Sequence, residues 1–285
     1  MSSLHGGNQL GNRIFEILGV AAIAKRLHRR PSFLLQSDSF NQPVIRQLWK
    51  TLHYFPNVLD GFFLESESLG LNISSLPRVN LKAQPSTYIN FSRFDGLEKE
   101  RIVVIDAAFL QNIQYLNDLG WEEVAFRLGF TEETLELTKL ILPDDFRKRK
   151  KRICVHWRRK DFGSYAAKSS YIVKALNVII KQEAVSNFGI TIFSDDAKNL
   201  KADVRTEEFK HFANSTWLPI DDHPIHFVWS FLSHQCTHIL LTNIQSTFGY
   251  LGAYLAGNRS IVYFNPALHW KHKMPTPKEW IQLVV

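Results

Sequence analysis

The sequence predicts an α/β fold with a parallel sheet in its second half. Three observations carry this. Strand-like apolar runs alternate with helical ones from Ile153 to Phe264. At the amino end, a glycine loop leads into a helical pattern and then an extended segment, the loop–helix–strand part of a βαβ unit. One apolar run, Ile153-Cys154-Val155, ends in His156-Trp157-Arg158-Arg159-Lys160-Asp161. Charge gathered at a strand's carboxyl end marks the place where ligands sit in open α/β sheets.

The elements follow in order. Gly6-Gly7-Asn8-Gln9-Leu10-Gly11-Asn12-Arg13 forms the opening loop. Ile14, Ile17, Leu18, Ala21 and Ala22 share one helical face, and the helix is expected to run to about Arg30 before Pro31 stops it. Ser32 to Gln36 reads as a strand. The first strand of this unit would precede Met1, so a longer form with residues upstream is expected. Residues 41 to 100 read as short strands and loops. Residues 106 to 142 read as helical, with acidic Glu132, Glu133 and Glu136 and a leucine-rich face. A boundary is expected near 143–152, giving an amino-terminal half of 1–145 and a carboxyl-terminal half of 151–285.

In the second half, strand 153–157 leads through loop 158–170 to helix 171–184. Strand 190–193 ends in Ser194-Asp195-Asp196. Helix 225–234 precedes strand 238–242. The loop Asn243-Ile244-Gln245-Ser246 opens helix 247–256, and Gly257 suits its C′ position. Strand 260–264 ends at Asn265-Pro266.

Composition narrows the function classes. The chain has 285 residues and 45% hydrophobic content, enough for one large core or two modest ones. It has no apolar run of about 18 residues to span a membrane, and Met1 to His5 does not read as a signal peptide. Two cysteines, Cys154 and Cys236, are too few for a disulfide framework, and a bridge between them has no support in the pattern. Cys154 reads as a small core residue. The net charge of +7 favours anionic partners. Part of it lies in Arg147 to Arg152, read as a solvated linker in preference to a nuclear-import or nucleic-acid patch.

Three constellations carry chemistry. On a strand, Cys154, His156 and Arg158 share one face, and Ile153, Val155 and Trp157 the other. Arginines beyond the strand suit a phosphorylated ligand, because the guanidinium fork matches phosphate oxygens. Asp195 and Asp196 can accept from a guanine edge or ribose hydroxyls, can hold a divalent metal, or can simply cap the next helix. Ser246 and Thr247 open a helix whose free N–H groups and dipole attract phosphate, although ordinary capping explains them too. His223 with His226, and His234 with His238 and Cys236, lack a third ligand at zinc-like spacing and read as core or capping residues. Neither a Gly-x-Ser-x-Gly nor a Walker A pattern occurs.

Taken together, the GxxLGNR loop, HxRRxD, SDD and NxQSTFGYLGAYLAG, in that order, resemble the GDP-fucose-dependent α-1,2-fucosyltransferases (glycosyltransferase family 11). The match is strongest over 7–30 and 153–264. The resemblance implies a GT-B-like fold of two Rossmann-like halves. It implies inverting transfer of fucose from GDP-fucose to a glycan hydroxyl, most simply the 2-OH of galactose, with neither metal nor cofactor. It places Arg158 and Arg159 on the diphosphate, and His156 with Asp195 or Asp196 towards the guanosine. Asp161 would orient an arginine. The resemblance names no base for the acceptor hydroxyl; Asp161 and a residue of the amino-terminal half are the candidates. Ser246, Thr247 and Phe248 would border the nucleotide, and Asn12 and Arg13 would approach from the other half. The chain departs from the family pattern at Lys160, Phe162 and Tyr250-Leu251, and its amino loop offsets the glycines.

Other readings stay open on the residues alone. They are a different linkage such as α-1,6, an inactive relative that binds nucleotide sugar or glycan without turnover, and a nucleic-acid binder using the basic run. The sequons at Asn72, Asn90, Asn214 and Asn258, with the resemblance, favour the Golgi lumen. Membrane attachment would then come through an anchor outside this chain.

Overall fold

The computed structural model of the chain describes residues 10–35, 43–66, 75–81, 87–107, 110–142, 144–184, 187–210, 212, 215–219, 224–266 and 274–285. Gly6 to Gln9 of the opening loop, His223, and the sequons at Asn72 and Asn214 lie outside these residues. The chain divides into two compact units, Met1–Gly129 and Phe130–Val285. No helix among the described residues is long and apolar enough to cross a membrane.

In the first unit, α1 (Leu10–Arg26) is apolar on nearly every side, and Ile14, Phe15, Ile17 and Leu18 are fully buried. It ends four residues before the expected Arg30. His28 takes a left-handed φ of 52°, and the Arg29 N–H bonds back to the Ala24 carbonyl at 2.8 Å. That closes the helix without a glycine. β1 (Ser32–Leu35), α2 (Pro43–Tyr54) and β2 (Phe63–Ser66) follow, with β1 and β2 parallel. β3 (Arg78–Leu81) pairs in parallel with β4 (Val104–Ala107). The segment expected to be helical from 106 starts as the end of β4. It then forms α3 (Ile113–Leu119) and α4 (Trp121–Arg127), separated by Gly120 at φ 89°.

The second unit begins earlier than the basic run. α5 (Glu132–Ile141) packs with this unit, because Thr138 on its buried face lies 3.1 Å from Ser230. Thr131 caps it, accepting from the Thr134 N–H at 3.2 Å. After the short α6 (Asp144–Arg147) come β5 (Lys151–Trp157), α7 (Ser169–Gln182), β6 (Phe188–Ser194), α8 (Ala197–Asp203), α9 (Glu207–Lys210) and β7 (Ser215–Pro219). Then α10 (Ile225–Gln235), β8 (His238–Leu241), α11 (Thr247–Ala256), β9 (Ile261–Phe264) and β10 (Ile281–Gln282) complete it.

The six strands form one parallel sheet in the order β10-β9-β8-β5-β6-β7. Counted from β5, this is the 3-2-1-4-5-6 order of dinucleotide-binding folds, read from the far edge. The order reverses between β5 and β8, so the crevice at their carboxyl ends is the expected ligand position. β7 and α9 were not anticipated, since they are short and carry weak periodicity, and α8 was foreseen only as a helix that Asp195 or Asp196 could cap.

The two faces of β5 separate as the alternation predicts. Ile153, Val155 and Trp157 join the core under α7, whose Ile172, Ala175, Leu176 and Ile179 recur at helical spacing and are fully buried. Burying each of the larger side chains contributes about 1.5–3 kcal/mol. On the other face, Cys154 is bonded to Cys236 with Cα atoms 5.8 Å apart. Cys154 is buried in the core as expected, and it also forms the bridge for which the pattern offered no support. Cys236 caps the last turn of α10, just before β8, and Ile153 pairs with His238. The topology therefore brings together two thiols that are 82 residues apart.

Candidate active site

Trp157 and Ser194, the last residues of β5 and β6, are register partners. The residues that follow them therefore leave the sheet side by side. Asp195, only 3% exposed, turns its carboxylate back onto the β5 exit. It accepts from the Arg159 N–H at 2.8 Å and the Lys160 N–H at 3.2 Å, and lies 3.2 Å from Arg158 Nη1. Asp161 takes the other side of the same guanidinium, accepting from Nη2 at 2.8 Å. Arg158 thus stands between a buried and an exposed carboxylate, with its guanidinium 5.8 Å from the Phe162 ring centre.

Arg159 turns to a different task. Its guanidinium stacks over Trp157 at 4.3 Å and pairs with Asp203, with Asp196 3.5 Å away. This ties α8 to the end of β5. Asp196 caps α8, accepting from the Asn199 N–H at 3.3 Å and from Asn199 Nδ2 at 2.7 Å. Burial pushes its carboxyl up, but Asn199 and the Arg159 charge outweigh that and leave it below the usual range.

The 160–165 turn kinks at Gly163, where φ is 49°. It is held from the β8 side. Asn243, fully buried, donates to the Tyr165 carbonyl at 3.2 Å and accepts from the Gln245 N–H at 2.9 Å. Thr242 bonds the His156 carbonyl at 3.0 Å through its hydroxyl. The loop after β8 and the loop after β5 are therefore one hydrogen-bonded assembly across the switch point. Ser246 is the N-cap of α11, and both it and Thr247 are buried there. The amino end of a helix favours an anion through its dipole.

His156 is fully buried, and among the described residues neither ring nitrogen has a hydrogen-bond partner. Its ring stacks on Phe248 at 5.7 Å. Burial, and then the Arg158 charge, lower its pKa to about 3, so the imidazole is neutral.

Arg158, Arg159, Asp161, Asp195 and Asp196 thus form one network, with His156, Phe248, Ser246 and Thr247 around the start of α11. Asn12 and Arg13 belong to the first unit. Arg13 is buried there and donates to Thr51 at 3.2 Å, and burial lowers its pKa. Sequence reading missed Asn243 as the tie to Tyr165 and Asp203 as the partner of Arg159. An Asn directly after a buried strand was the available signal for the first; nothing in the local pattern marks the second. Among the described residues, no group of three or more His, Cys, Asp or Glu is arranged to hold a metal ion.

Known proteins resemble the chain over most of its length. A putative galactoside 2-alpha-L-fucosyltransferase, svh-11, of Caenorhabditis elegans is 27% identical over 278 residues, covering 93% of this chain and 71% of that protein. A galactoside 2-alpha-L-fucosyltransferase of the same organism is 25% identical, covering 90% of this chain and 69% of that protein. Among solved structures, a mutant of Arabidopsis thaliana FUT1 in complex with GDP aligns with TM-score 0.53 at 14% identity, over 92% of this chain and 69% of that one. Fucosyltransferase NodZ from Bradyrhizobium aligns with TM-score 0.52 at 14% identity, over 88% and 91%. The fold is accordingly the GT-B-like α/β class of these neighbours. The family model of glycosyl transferase family 11 matches residues 134–283, the stretch that holds the whole sheet and its switch-point loops, and the chain is a member of that family of fucosyltransferases.

Proposed function

We propose that the protein transfers fucose from GDP-fucose to a glycan hydroxyl, most simply the 2-OH of a terminal galactose, with inversion at the fucose anomeric carbon. The observation that carries this reading is Arg158. It is fixed between Asp195 and Asp161 at the carboxyl end of β5, across the switch point from the start of α11. A departing GDP gathers negative charge on its diphosphate as the bond to fucose breaks. A guanidinium and a helix start already in place stabilise that charge more in the transition state than in the bound donor, which lowers the barrier. In this reading the two together supply the positive charge, and the transfer proceeds without a metal or cofactor. Ser246, Thr247 and Phe248 border the nucleotide, and Asn12 and Arg13 are counted with the GDP-fucose-binding residues. The acceptor hydroxyl must lose its proton; Asp161, the exposed carboxylate of the cluster, is the proposed acceptor of it.

The Cys154–Cys236 bridge favours an oxidising compartment, since disulfides are rare in the cytosol. We place the protein in the Golgi lumen. The partners are then GDP-fucose and a glycan, with no role for nucleic acid.

The test is GDP release from GDP-fucose with a galactose-terminated acceptor, in EDTA, for wild type and Arg158→Ala. Acceptor-dependent release that the substitution abolishes supports the whole reading. GDP-fucose binding without release would instead point to an inactive relative or another acceptor linkage. Release that stops in EDTA would remove the metal-free part.

A further inference from the structure

We propose that Asp195 is a positioning residue, which presets the Arg158–Lys160 turn for the donor diphosphate and touches no part of the donor. The proposal rests on the fucosyltransferase reading above, and it gives Asp195 a different role from guanosine recognition.

The geometry leads there in three steps. First, both carboxylate oxygens of Asp195 are spent within the turn. Oδ1 accepts from the Arg159 N–H, and Oδ2 accepts from the Lys160 N–H while facing Arg158 Nη1. Second, the side chain is buried at 4% exposure, whereas that of Asp161 is 46% exposed. An incoming diphosphate can therefore displace Asp161 from Nη2, while Asp195 keeps its hold on Nη1. Third, the strand register fixes the donor and acceptor of these bonds against each other, because Trp157 and Ser194 are directly paired. Removing the carboxylate would free two backbone N–H groups and one side of the guanidinium together. The loss would be felt at Arg158, since charge-assisted bonds to a guanidinium fix its direction as well as its energy.

A residue that acts through another gives non-additive effects, whereas two independent donor contacts give multiplicative ones. The experiment is a double-mutant cycle on the full chain. GDP affinity is read by calorimetry, and kcat and acceptor KM by GDP release, for wild type, Arg158→Ala, Asp195→Asn and the double variant. Asp195→Asn is expected to weaken GDP binding and lower kcat about tenfold or more, with acceptor KM unchanged. The double variant should bind GDP no more weakly than Arg158→Ala alone. Asp195→Glu keeps the charge and shifts it by one methylene; it serves where the amide variant does not fold, and should show the same non-additivity. Losses that multiply in the double variant would overturn the proposal and return Asp195 to direct donor contact, with the fucosyltransferase reading intact. Wild type that fails to bind GDP would remove that reading, and the positioning role with it.

Discussion

The imidazole of His156 lies directly against the backbone of Gly249: a Cβ at that position would be 2.4 Å from Nδ1. Neither partner has room to retreat. His156 is fully buried on β5, and Phe248 stacks on its ring. Gly249→Ala should therefore push α11 away from the sheet or force the imidazole off its rotamer. Overpacking of this kind costs about 1–3 kcal/mol. Urea denaturation should show that loss, and GDP affinity should fall with it, because Ser246 and Thr247 ride on the same helix. An alanine variant as stable as wild type would mean the contact is looser than its geometry.

His156 also makes stability depend on pH. Its folded-state pKa is lowered to about 3, by burial first and by Arg158 second. An unfolded histidine titrates near 6.5. Between these values the unfolded chain holds a proton that the folded chain refuses, so stability rises with pH across the window and falls on acidification. One such group accounts for at most about 1.4 kcal/mol per pH unit. The urea midpoint of wild type should drop between pH 6.5 and pH 4, and that of His156→Gln should drop less steeply. Parallel curves would assign the acid sensitivity to other groups.

The Cys154–Cys236 bridge closes a long loop from mid-β5 to the end of α10. Chain-entropy reasoning for a loop of this size gives about 4.5 kcal/mol of stabilisation, and measured values commonly run about 2–4 kcal/mol. Denaturation with and without a reductant should differ by an amount in that range, and Cys154→Ala/Cys236→Ala should match the reduced protein. Equal stabilities would mean the bridge contributes nothing in solution.

The basic run from Arg147 to Arg152 is largely committed to its own unit. Arg147 pairs with Asp144, Arg149 with Asn187 and Lys151 with Glu183, while Arg152 reaches the Gln235 carbonyl. Changing Lys148 and Lys150 to glutamine should leave GDP release unchanged within twofold. Binding to a DNA duplex should be weak in both proteins. Tight, salt-dependent duplex binding that these substitutions abolish would revive the nucleic-acid reading.

How much of this was legible in the sequence depended on how local each signal is. Ile153, Val155 and Trp157 alternate with Cys154 and His156, and the period of two alone placed them on opposite faces. The loops after β5, β6 and β8 were found because charge and small polar residues follow directly on apolar runs. The strand order was not readable, because nothing in the pattern of Ser215 to Pro219 says that β7 joins the edge beside β6. The bonds of Asp195 were hidden for the same reason: its partners, the Arg159 and Lys160 N–H groups, lie 36 and 35 residues away and are set by register. The bridge from Cys154 to Cys236 likewise needs the β5–β8 pairing, which only the fold supplies. The end of α1 at His28 escaped notice because a left-handed histidine leaves no compositional mark, unlike the glycine that usually stands there.

The remaining prediction concerns where the protein lives. Asn258 is exposed in the short 3-10 turn Gly257–Arg259, which feeds into the amino end of β9. In a parallel sheet that end is opposite to the carboxyl ends where Arg158, Asp195 and Ser246 gather. A glycan on Asn258 would extend away from the donor site and leave turnover intact. Asn90 is also exposed, but its side chain accepts from the Ser92 N–H at 3.1 Å and caps a helical turn. A glycan there would attach through Nδ2, next to the oxygen that makes the cap. In a secreting cell, the chain fused to a signal peptide should therefore run larger on a gel until treated with an endoglycosidase. Asn258→Gln should remove one step of that shift while GDP release stays within twofold of wild type. If Asn258→Gln leaves the mobility unchanged, this sequon is unused; if the enzyme-treated and untreated proteins run alike, the lumenal placement loses the support of its sequons and rests on the disulfide alone.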